Sequence, residues 1–78
     1  MGNSRRLTAI IEREGDLYVS LCPELDIASQ GMTVEEARSN LVEALALFFE
    51  SASAEEIGDR LSSEVFITSI EVPIGKVA

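Results

Sequence analysis

Fourteen of the 78 residues are Asp or Glu, and none is His. Carboxylates without histidine can do two things. They can converge on divalent cations and cleave phosphodiesters, or they can meet the cationic surface of another molecule. The first use needs several acids brought to one place. The candidates are Glu12, near the end of a strand, and Glu43, on the polar side of a helix. Nothing in the pattern unites them, so solvated acids are expected, with no catalytic residue, no metal and no other cofactor. Without histidine, Ser–His and Cys–His pairs are excluded, and no Gly-rich phosphate loop is present. The single cysteine, Cys22, rules out an internal disulfide and a zinc cluster. It is expected to be a small buried hydrophobe. Glu24 and Asp26 flank Leu25 just after Pro23. That loop is either a turn held by its own polar side chains or an acidic contact for a basic partner.

These residues need a frame, and the frame is organised by residues 31–52, GMTVEEARSNLVEALALFFESA. Val34, Ala37, Leu41, Ala44, Leu45, Phe48, Phe49 and Ala52 recur three or four apart, the stripe of an amphipathic helix. Glu36, Ser39, Asn40, Glu43 and Glu50 fall on the other side. Thr33 and Glu36 form a capping-box pattern, with Glu36 expected to reach back to the Thr33 N–H. Phe48 and Phe49 belong to the core.

Around this helix the chain reads as strands. Residues 6–13 (RLTAIIER) and 17–22 (LYVSLC) make a hairpin about Gly15, with Leu17, Val19 and Leu21 expected to face the helix. Pro23 stops the ladder. Residues 27–30 form a short third strand. Ser53 and Glu56 cap a single short turn that Gly58 ends. Residues 64–72 (EVFITSIEV) form a last strand that is apolar on both faces, as in an interior strand or one covered by a second subunit. The expected fold is α+β: a two-layer β-β-β-α-β sandwich with a four-stranded, mainly antiparallel sheet and one long helix on one face. A right-handed crossover places the last strand parallel to the first. Residues 6–75 make one domain, and residues 1–5 a flexible tail.

A domain of this size has a small core, and oligomerisation is the available support, so a homodimer or higher homo-oligomer is expected. Ile10, Tyr18, Phe66 and Ile70, on the sheet face away from the helix, are the candidate oligomer interface. No segment is long and apolar enough to span a membrane, no signal peptide opens the chain, and a cytoplasmic location is expected. The net charge is −8, and residues 14–59 carry eleven carboxylates against one cation, Arg38. Such a body repels phosphate and suits a basic partner, for instance a protein that itself binds nucleic acid.

Residues 17–50 also resemble the HicB family of antitoxins. The matching positions are Tyr18, Pro23, Glu24, Leu25, Gly31, Thr33, Glu35, Glu36, Ala37, Asn40, Glu43 and Ala44, with residues 67–75 similar to the family's last strand. The resemblance implies a partial, degenerate RNase H-like fold. It also implies a type II toxin-antitoxin role: binding and neutralising a small basic HicA-like mRNA interferase. The likeness is to single-domain members, so no direct DNA binding is expected from this chain. Candidate toxin contacts are Asp16, Glu24, Leu25, Asp26 and Gln30. The alternatives are a homo-oligomeric module with no toxin partner and a metal-dependent, RNase H-like nuclease.

Overall fold

The computed structural model describes residues 5–62 and 64–75. The chain is α+β. Three antiparallel strands, β1 (Ile10–Glu14), β2 (Leu17–Cys22) and β3 (Ile27–Gly31), lie in the order β1-β2-β3. Two helices follow, α1 (Val34–Ser51) and α2 (Ala54–Leu61). Among the described residues no helix is long and apolar enough to cross a membrane.

Local chemistry sets each boundary. Glu14 pairs with Leu17, which leaves Gly15 and Asp16 as a two-residue turn. Gly15 has φ +62°, the left-handed conformation a tight hairpin needs and glycine adopts without strain. At the start of α1 the Thr33 hydroxyl accepts from the Glu36 N–H at 3.0 Å. The Glu36 carboxylate accepts from the Met32 N–H rather than that of Thr33, one residue earlier than a capping box requires. Pairing in β1 starts at Ile10, opposite Leu21. The expected earlier start at Arg6 fails in part because the Thr8 N–H is directed to the Glu24 carboxylate instead of a neighbouring strand.

The helix covers the opposite face of the sheet from the one expected. Ser20 and Cys22 are fully buried, while Leu17, Val19 and Leu21 are only half-buried. The reason is side-chain size. α1 approaches β3 so closely that a Cβ on Gly31 would lie 2.5 Å from the Ala37 nitrogen. The groups directly under that end of the helix are small, Gly31, Ser20 and buried Ala37, with half-buried Tyr18 beside Gly31 on the same side. The Ser20 hydroxyl donates to the Ala37 carbonyl at 2.8 Å, so its burial leaves no polar group unpaired. Farther along the helix the core is made by Cys22, Leu25, Ile27, Leu41, Leu45 and Phe48. Phe48 and Phe49 meet edge to face, with centroids 5.4 Å apart.

The expected four-stranded sheet has three strands among the described residues. Residues 64–75 form no helix and join no ladder. A strand apolar on both faces needs cover from two sides, and among the described residues Phe66, Ile70, Val72 and Ile74 have little. The connection before it also differs from expectation. α2 runs through Gly58 to Leu61 instead of ending at Gly58. Ser53 caps it, accepting from the Glu56 N–H at 3.1 Å.

Two glycines should therefore respond oppositely to alanine. Gly31→Ala drives a methyl into backbone that cannot yield and should cost about 2–3 kcal/mol. Gly58→Ala meets nothing within 4 Å and should stabilise by about 0.5–1 kcal/mol through helix propensity. Urea midpoints of the two variants against the parent check both signs.

Candidate interaction surfaces

The five candidate partner contacts do not form one patch. Asp16 lies in the β1-β2 turn, and Gln30 lies at the same end of the sheet, since its neighbour Gly31 pairs with Tyr18. Glu24, Leu25 and Asp26 lie beyond Cys22, which pairs with Ile27 at the other end. The six residues of β2 separate the two groups by roughly 17 Å. The candidate oligomer residues are divided as well. Ile10 is opposite Leu21 and belongs to the open face with Leu17 and Val19. Tyr18 shares the helix-facing side with Ser20. Phe66 and Ile70 stand on the C-terminal segment, outside the sheet. Glu12, opposite Val19, is on the open face too, whereas Glu43 is exposed on α1 across the sheet. The two acids are thus separated by a whole layer.

The loop after Pro23 is a knot of internal bonds. Leu25 is fully buried in the core, so its side chain is a plug and offers no outward contact. The Glu24 carboxylate accepts from the Thr8 N–H, 3.2 Å from each oxygen, and from the Thr8 hydroxyl at 2.7 Å. The Cys22 thiol donates to the same carboxylate at 3.4 Å. From the other side Arg60 of α2 donates to the Leu25 carbonyl at 2.6 Å. Its guanidinium stacks 5.2 Å from the Phe48 ring centroid and lies 3.8 Å from Glu56. The loop is thereby tied to the N-terminal segment by Glu24 and to α2 by Arg60. Asp26 alone of the three remains exposed, at φ +56°, a left-handed conformation that Asp tolerates better than most residues.

Two titratable groups in the knot are perturbed. Burial pushes the Cys22 thiol up, and the adjacent Glu24 carboxylate adds to the shift, so the thiol stays neutral and unreactive. For Glu24, burial opposes ionisation. The Thr8 hydroxyl, the N–H groups of Glu24 and Thr8, and the Cys22 thiol outweigh it and hold the carboxyl below its ordinary value.

Two of the surface clefts bear on the candidate residues. One, of about 560 Å³, lies between the 23–26 loop and α2 and is lined by Asp26, Glu56 and Asp59 beside Arg60. The other, of about 540 Å³, runs between α1 and the segment leading into β1, lined by Leu7, Ala9, Leu41, Val42, Leu45 and Phe49. Among the described residues no group of three or more Asp, Glu or Cys could hold a metal ion. Thr8 and Arg60 carry the knot, and sequence patterning passed over both. Each is a lone polar residue whose partner lies 16 or 35 positions away, a distance no local rule spans.

Because the Glu24 pKa is depressed in the folded state, its bonds stabilise fully above the unfolded value of about 4.3 and are lost as pH falls through the lower folded value. Glu24→Gln should lower stability at neutral pH and lose less of it on acidification than the parent. Urea titrations at pH 7 and near pH 3 check this; parallel losses in the two proteins would contradict it.

No family model, curated protein or solved structure matches the chain.

Proposed function

We propose that the chain is an antitoxin of the HicB kind. In this reading it binds a small, basic, HicA-like mRNA interferase and covers the RNA-binding or catalytic surface of that toxin. It acts in the cytoplasm and has no catalytic activity of its own. The observation that carries the proposal is the cleft between the 23–26 loop and α2. Asp26, Glu56 and Asp59 are exposed there, and its one cation, Arg60, is turned onto Leu25, Glu56 and Phe48. The cleft is thus a fixed anionic surface on a body of net charge −8, suited to a lysine- and arginine-rich face.

The residues of the resemblance support the same reading from another side. Glu24 and Leu25 seat the loop, Gly31 admits the helix, Thr33 and Glu36 start it, and the Asn40 amide donates to the Gln30 carbonyl at 2.7 Å. The motif is therefore one coherent folding unit, and it builds the loop that forms a wall of the cleft. The RNase H-like, four-stranded arrangement implied by the resemblance needs one more strand beside β1.

The test uses the product of any small basic reading frame adjacent to the gene. Asp26→Lys combined with Asp59→Lys should slow association about tenfold or more and flatten its salt dependence. Asp16→Lys, at the far end of the sheet, should change little. Stopped-flow association at two ionic strengths reads both. Failure to form a complex, or equal sensitivity at the two ends, would remove the proposal.

A further inference from the structure

Residues 65–74 have the composition of a strand but join no sheet. Phe66 is 83% exposed, Ile70 79%, Val72 64% and Ile74 70%. In an extended chain these even-numbered positions share one face with Thr68. The chain also contains a sheet without a strand. β1 is an edge, and beside the segment leading into it lies the apolar groove of about 540 Å³ under α1. Only the first residues of the C-terminal segment, Glu64 to Phe66, lie beside their own body, in a cleft with Arg5, Arg6 and Leu7; Ile70, Val72 and Ile74 stay exposed. The Cα radius of gyration is 15.6 Å, against about 11.5 Å for a compact chain of this length.

We propose that residues 65–74 of one copy of this chain fill the groove of a second copy, and the reverse, giving a two-fold strand-exchanged dimer. Charge selects this occupant over a basic partner. The groove carries two cations, Arg5 and Arg38, while the only charged groups among residues 64–75 are Glu64 and Glu71. Each sheet gains its fourth strand in trans, and the even-numbered apolar face lies against Val42, Leu45 and Phe49. The contact is isologous, so it closes at two copies and does not propagate. The anionic cleft on α2 lies outside the groove and stays open, so the dimer and the toxin contact are independent.

Sedimentation equilibrium of the full chain should give a dimer. Phe66→Asp with Ile70→Asp should weaken it roughly thirtyfold or more while the helical circular dichroism is retained, since both side chains are already solvent-exposed. Val42→Asp, on the groove wall and itself exposed, should do the same. Leu47→Asp, exposed on α1 but outside the groove, should leave the dimer intact. Mixing the Phe66/Ile70 variant with the Val42 variant should restore dimers, because each mixed pair keeps one sound strand and one sound groove. A monomeric parent chain, a dimer indifferent to the Phe66/Ile70 substitutions, or a mixture that stays monomeric would overturn the exchange.

Discussion

The structure depends on how closely α1 can approach the sheet. That approach is set by three small groups, Gly31, Ser20 and Ala37, and by one buried bond from the Ser20 hydroxyl to the Ala37 carbonyl. With the N-terminal end of the helix pressed down there, larger side chains pack under the rest of it. These are Cys22, Leu25, Leu41, Leu45 and Phe48. The same constraint decides which face of β2 is covered. Leucine and valine on the opposite face are too bulky for so short a separation, and they remain half-buried on the open side of the sheet.

The second constraint is the knot around residues 23–26. A loop carrying two acids is an unlikely place to find a core residue, yet Leu25 is among the most buried side chains of the protein. It stays there because its neighbours are bonded in opposite directions, Glu24 to Thr8 and the Leu25 carbonyl to Arg60. The acids of this region divide by role. Glu24 is consumed in holding the loop. Asp26, Glu56 and Asp59 are left outward, where they give the surface its charge.

Much of the fold was legible in the sequence, and the failures have physical causes. The stripe from Ala37 to Phe49 announced α1, and Gly15 announced the hairpin, because both signals are local and strongly periodic. The facing of β2 was misread because alternation of Leu and Val was weighted above smallness, and a buried serine bonded to helix backbone has no periodic signature. The three-stranded sheet differs from the four strands expected because residues 64–72 carry strand propensity, but propensity does not say whose sheet a strand will join. Of the candidate site, the loop was found, but its Leu25 and Glu24 proved internal. Asp16 and Gln30 lie at the wrong end to act with Asp26, since sequence proximity to charge says nothing of which end of a strand a residue occupies.

One consequence of the short second helix concerns where the molecule gives way first. α2 has eight residues, a glycine inside it and no fully buried side chain. A helix so short does not persist alone in water, and its main anchors are Leu61 and the Arg60 guanidinium. The middle of α1, seated on the sheet through Ala37 and Leu41, has the opposite character. Amide protons of α2 should thus exchange with solvent through small, cheap openings, while those around Leu41 should wait for the whole domain to come apart. The chain has a hard end and a soft end, and the soft one is hinged to the segment that reaches outward.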